Sequence, residues 1–229
     1  MFHAASPGSL IFFLLICAGV VSAFIVGVWA SARRNSARRL PQTWLAVAGT
    51  IIWLLSILQI VRSGWLHDDG RRLLLFAAAM NLVSLGVALS PIGRWLSTLP
   101  LPALVAFQGF RVPLELVLHS WVLQGVIPAT MTWSGRNWDI ISGAVALIAA
   151  PFCRRSRVWA WLANAVGLVL LGNVMRVAIL SSPVSFGWPV VPKLDLIYRV
   201  PYALIIPVCI GGALIGHIAL IRALLRRTE

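Results

Sequence analysis

Residues 9–30 read SLIFFLLICAGVVSAFIVGVWA, an unbroken apolar run without a charged side chain. At 1.5 Å rise per residue such a run extends about 33 Å as a helix, enough to cross a hydrocarbon core about 30 Å thick. Arg33, Arg34, Arg38 and Arg39 follow it, whereas residues 1–9 hold neither Lys nor Arg. A secretory signal carries its positive charge ahead of the apolar stretch, so this order predicts a retained spanning helix with its N-terminus outside.

Working outward, further apolar runs fall at about 44–62, 73–92, 101–124, 138–153, 158–180 and 200–221, each close to spanning length except the fifth. Over 229 residues the chain is 60% hydrophobic and 11% charged. A soluble domain is about half apolar and about a quarter charged, so the surplus must face lipid. The expected fold class is all-α, a polytopic membrane helix bundle of about seven transmembrane helices, with residues 1–229 as one integral membrane domain.

The net charge of +13 raises nucleic acid as a partner. The distribution of charge excludes it, because the arginines occupy short loops and no basic stretch is long enough to fold as a module. With the N-terminus outside, the inner loops and tail hold Arg33, Arg34, Arg38, Arg39, Arg94, Arg154, Arg155, Arg157, Arg222, Arg226 and Arg227. The outer loops hold Arg71, Arg72, Arg136, Lys193 and Arg199. The excess of positive charge inside predicts an N-out, C-in topology in a bacterial cytoplasmic (inner) membrane. Indoles prefer the two interfaces, and Trp29, Trp44, Trp95, Trp159 and Trp161 fit the inner belt while Trp65, Trp121, Trp133, Trp138 and Trp188 fit the outer one.

Ionisable groups inside spans are costly and mark functional candidates. The fourth run spaces Arg111, Glu115 and His119 four residues apart, on one helix face, with Pro113 beside them. Glu115 would lie about 14 Å and His119 about 7 Å below the outer end of that helix. A bland alternative is an internal Arg111–Glu115 ion pair that only fixes packing. The segment Met131-Thr132-Trp133-Ser134-Gly135-Arg136-Asn137-Trp138-Asp139 then precedes a run too short to span. Either the fifth helix is short or this segment dips into the bundle, which is permitted only where protein or a cavity surrounds it. Gly135 permits a tight turn, Asn137 or Asp139 can cap the following helix, and Arg136 beside a buried helix start suits an anion. An Arg136–Asp139 pair in a plain interfacial loop is the competing reading.

The sixth run adds Asn173 and Arg176 near its outer end, where Arg176 can also snorkel to the surface. Asn81 and Gln59 stand alone in apolar spans and read as helix-to-helix hydrogen bonds. Cys17, Cys153 and Cys209 form no CxxC or CxxH pattern and read as packing residues. His119 and His217 fall toward opposite ends of their helices, and neither His3 nor His67 has metal-site spacing, so no metal or cofactor is expected.

The stretches Phe107 to His119, Met131 to Gly143 and Asn173 to Pro183, with Pro201-Tyr202 and Gly216-His217, resemble a family of uncharacterised bacterial multipass membrane proteins. That resemblance implies a shared fold. A partial resemblance to the exosortase and archaeosortase transpeptidases rests on Ser134-Gly135, the Arg154-Arg155-Ser156-Arg157 turn and Asn173-Val174-Met175-Arg176. Trp133 stands where that family has its nucleophilic Cys, and no His follows Arg176 before His217. The resemblance therefore implies the scaffold without the chemistry.

The leading functional expectation is an outward-facing polar pocket lined by Arg111, Glu115, His119, Arg136, Asn137, Asp139, Asn173 and Arg176. It would bind or transport a small polar or anionic-headed molecule, lipids included. The alternatives are a structural or assembly subunit of a membrane complex, and a membrane enzyme at the outer face with His119 or Asp139 as base and Arg176 on an anion.

Overall fold

The computed structural model describes residues 4–31, 36–67 and 70–226, with the backbone alone for residues 36–39. Arg33, Arg34, the side chains of Arg38 and Arg39, Arg227 and His3 lie outside the described residues. The described chain is helical and without strands. Its helices are α1 (Pro7–Ser31), α2 (Ser36–Arg62), α3 (Gly70–Leu89), α4 (Pro91–Leu96), α5 (Leu101–Phe107), α6 (Arg111–Leu123), α7 (Asp139–Phe152), α8 (Arg157–Ser181) and α9 (Gly211–Leu225). A 3-10 turn, Gln108–Phe110, joins α5 to α6 in one rod. Pro113 has no N–H for the Gly109 carbonyl, which is why the regular ladder breaks there.

Six helical stretches are long and apolar enough to cross a membrane: Pro7–Ser31, Leu40–Arg62, Gly70–Leu89, Leu101–Leu123, Arg157–Ser181 and Tyr202–Leu225. The expected fifth span is the exception. Helix α7 has 14 residues, about 21 Å of rise against about 30 Å of hydrocarbon.

The helix ends register through long basic side chains. Arg222 donates to the carbonyls of Ala88 and Ser90, and Arg157 to those of Ala223, Leu224 and Arg226. The end of α3, the start of α8 and the end of α9 therefore share one end of the bundle. These arginines satisfy carbonyls that a helix C-terminus leaves open.

Between α6 and α7 the chain turns back into the bundle. Asn137 donates to Glu115, which lies eight residues, about 12 Å, below the end of α6. Segment 128–138 thus occupies the depth that the short α7 leaves empty. Several of its amides are bonded internally: Gly135 and Asn137 donate to the Thr132 carbonyl and Arg136 to that of Thr130. Met131, Thr132 and Asn137 are buried against the helices while Ser134, Arg136 and Trp138 face outward, and internal pairing with burial of the inner side is what permits non-helical backbone at membrane depth. A Cβ on Gly135 would stand 2.2 Å from the Ala129 carbonyl oxygen, so only glycine fits this fold-back.

Two apolar clusters build the core. One gathers Phe13, Leu114, Trp121, Val177, Tyr202 and Ile206 toward the α6 C-terminal end. The other gathers Val28, Val105, Ala149, Ala160, Ala219 and Leu220 toward the basic end. Between the two clusters α6, α7, α8 and α9 each contribute a buried polar side chain, Arg111, Ser142, Asn164 and His217, and these define a layer at mid-depth.

Candidate functional site

Arg111 forms the centre of that layer, 1% exposed. Its Nη1 donates to Asp139 Oδ1 at 2.7 Å, to Ser142 Oγ at 2.8 Å and to the Gly167 carbonyl at 3.1 Å. Its Nη2 donates to His217 Nε2 at 3.1 Å. A guanidinium cannot accept, so His217 Nε2 must be the bare ring nitrogen and Nδ1 must carry the proton. The Nδ1–H accordingly donates to Asn164 Oδ1 at 2.9 Å. The His217 ring lies against Gly167, where a Cβ would meet Cε1 at 2.3 Å, so the missing side chain makes room for imidazole.

The ion pair differs from both bland sequence readings. Arg111 pairs with Asp139 across two helices and not with Glu115 on its own, and Asp139 pairs with Arg111 and not with Arg136. The reason is depth, because Asp139 opens a short helix that begins in mid-bundle. Asn137 caps that start, its Oδ1 accepting from the Asp139 amide at 3.2 Å, while its Nδ2 donates to Glu115 Oε1 at 2.7 Å.

Glu115, also 1% exposed, keeps one oxygen open: Oε2 has no hydrogen-bond partner. It faces a cavity of about 390 Å³ enclosed by α3, α6, α8 and the first turns of the last span. The walls are apolar, with Leu74 on α3, Leu114 on α6 and Val174 on α8, and the roof is Leu194 and Ile197 of the 182–199 loop. The remaining wall comes from an irregular stretch, a π-helical turn at Ile206–Ile210. Such turns often occur at functional sites. Asn81 also lines the cavity. Its Nδ2 bonds the Ala77 carbonyl of its own helix, not a neighbouring helix, and its Oδ1 is unpartnered. Gln59 is exposed. Ala78 is exposed, and Met175 and Ala178 are half-buried, so the cavity's mouth lies between α3 and α8 on the flank of the bundle.

No family model matches the chain, and no curated protein or solved structure matches it. The two family resemblances therefore rest on the quoted residues alone. Of the exosortase-like set, Trp133 is stacked on His119 with ring centroids 4.3 Å apart. Ser134 is hydrogen-bonded to Thr132.

The eight sequence candidates thus divide. Arg111, Glu115, Asn137 and Asp139 join in the buried layer. His119 stands apart, half-buried against Trp133, with Nδ1 unpartnered. Arg136 and Arg176 are exposed and lie over the Trp188 ring. Asn173 ties them together, donating to the Arg136 carbonyl and accepting from Arg176. The sequence reading missed His217, Asn164 and Ser142. A buried His and Asn four or fewer turns from a span's end was the available signal. Among the described residues no group of three or more His, Cys, Asp or Glu could hold a metal ion.

Removing one partner of a buried ion pair strands the other charge, at a cost of about 3–5 kcal/mol. Asp139→Ala should lower unfolding free energy by that order, and Ser142→Ala by about 1 kcal/mol. Equilibrium unfolding in mixed micelles measures both.

Proposed function

We propose that this chain is a membrane protein that binds an amphiphile entering sideways from the bilayer, its tail in the apolar cavity and its head against Glu115. The observation that carries this reading is the unpartnered Glu115 Oε2 in a cavity of about 390 Å³. That volume lies within the range of small-molecule sites, about 300–1,000 Å³, which pair apolar walls with few polar groups. The second open atom, Asn81 Oδ1, is also an acceptor. With Glu115 ionised, both open atoms are acceptors and call for a head that donates, an ammonium or hydroxyl. An anionic head is disfavoured here, because Arg111 is already neutralised by Asp139 and engaged by Ser142, Gly167 and His217.

The same reading takes α7 together with segment 128–138 as a seventh crossing, with the N-terminus outside and the C-terminus in the cytoplasm of a bacterial cell. Support comes from the arginines Arg94, Arg154, Arg155, Arg157, Arg222 and Arg226 gathering at one end of the bundle. The sequence resemblance and this charge asymmetry support the bacterial inner membrane as the chain's location. An impermeant maleimide applied to intact cells should label Ser6→Cys and leave Arg155→Cys unlabelled; the reverse pattern would invert the topology. The three native cysteines are buried.

Dodecylamine, dodecanol and dodecanoate present one tail with three heads. In nanodiscs the first two should raise the unfolding midpoint and dodecanoate should not. A hydrogen bond to a charged group contributes about 1.5–3 kcal/mol, so Glu115→Leu should weaken dodecylamine binding about tenfold or more. Equal binding of all three probes, or indifference to Glu115→Leu, would remove the proposal.

A further inference from the structure

A second set of groups lies on the opposite face of α8. Val174 and Ala178 line the cavity, and Arg176 is two residues from each, about 160° around a helix that turns 100° per residue. Arg176 is exposed and continues a stripe of exposed positions, Val158, Leu162, Ala165, Val169 and Gly172, spaced by four and three. The stripe is apolar up to its last member. Arg176 stands 19 residues past Arg157 at the helix start, about 28 Å along the axis, close to one hydrocarbon thickness.

At that depth the chain assembles a cationic platform. The guanidinium of Arg136 lies 4.3 Å from the centroid of the Trp188 ring and that of Arg176 lies 5.8 Å from it. Stacking of this kind orients a guanidinium and leaves its N–H edge free to donate. Arg136 is exposed, and neither arginine has a carboxylate partner among the described residues. Asn173 sets their spacing by bonding the Arg136 carbonyl and Arg176 together. Lys193 donates to the Trp188 carbonyl, adding a third positive charge beside the two arginines. Trp188 is itself fixed by its amide on the Leu180 carbonyl at the end of α8. Below the platform, a Cβ on Gly172 would meet nothing within 4 Å, so the stripe is notched beneath Arg176.

We infer that Arg136 and Arg176, held on Trp188, bind the phosphate of an anionic phospholipid whose acyl chain lies along the exposed stripe of α8. Two guanidinium edges match phosphate oxygens. The apolar stripe running from the platform toward mid-membrane selects a lipid over a soluble phosphate. This site is separate from the cavity at Glu115 and does not depend on what occupies it.

The test is native mass spectrometry of the full chain released from micelles doped with phosphatidylglycerol or phosphatidylcholine of identical acyl chains. One phosphatidylglycerol should be retained in preference to phosphatidylcholine. Each interfacial arginine contributes about a fivefold preference for anionic lipid, so Arg136→Gln/Arg176→Gln should lower retention about thirtyfold. Arg155→Gln, the same charge change at the other end of the bundle, should leave it unchanged. Arg176→Gln alone, in which Arg136 still stacks on Trp188, should lose about fivefold and carries the test should the double variant unfold. Equal retention of the two lipids, loss with Arg155→Gln, or displacement of the lipid by millimolar inorganic phosphate would overturn the inference. The last outcome would make a soluble phosphate the ligand.

Discussion

The Arg111–Asp139 ion pair is the constraint on which the rest of the bundle depends. A charge at the centre of a spanning helix costs about 2.5–3.5 kcal/mol on insertion scales, so Arg111 requires an acceptor at its own depth. No carboxylate on a regular neighbouring helix supplies one. The chain instead brings Asp139 there by shortening α7 and folding segment 128–138 down into the bundle. The remaining guanidinium donors then reach Ser142, the Gly167 carbonyl and His217, drawing α7, α8 and α9 around α6.

The consequences extend outward from that pair. Because Asn137 must cap α7 and also meet Glu115, Glu115 has one oxygen bonded and one left open toward the cavity. Because the fold-back occupies the space between α6 and α8, Arg136 emerges beside Asn173 and Arg176 on the outer face of α8. The open acceptor and the exposed cationic platform are therefore two results of one descent of the chain. They differ in the groups they offer, an acceptor within an apolar cavity and paired donors on the exposed side of α8.

Much of this was legible in the sequence. Hydropathy picks out the six helices long and apolar enough to cross a membrane, and the fifth run is visibly short. Arg111, Glu115 and Asp139 stand out among the eight candidates because ionisable residues in spans are rare, and Asn137 through the polar segment it shares with Asp139. Their pairing was not legible, because helix spacing suggests same-helix partners, whereas the partner of Arg111 is set by how deep segment 128–138 descends. His217 and Asn164 were missed for a related reason: position along a helix gives depth only after neighbouring helices are in register. Sequence position groups Arg136 and Arg176 with Glu115, since all fall toward the same end of their runs. Rotation about α8, which the sequence leaves unspecified until a buried face is known, puts them on the other side. The role of α3 through Asn81 was likewise hidden, since a lone amide in an apolar run has no periodicity to read.

The most direct test is hydrogen–deuterium exchange of the backbone amides of 131–141 in nanodiscs. If residues 131–138 are packed at mid-membrane depth with their inner amides bonded internally, the amides of Gly135, Asn137 and, at the start of α7, Asp139 should exchange as slowly as those of α6. Exchange as fast as that of a surface loop would mean that the segment lies at the interface, and the buried Arg111–Asp139 pair could not form as described.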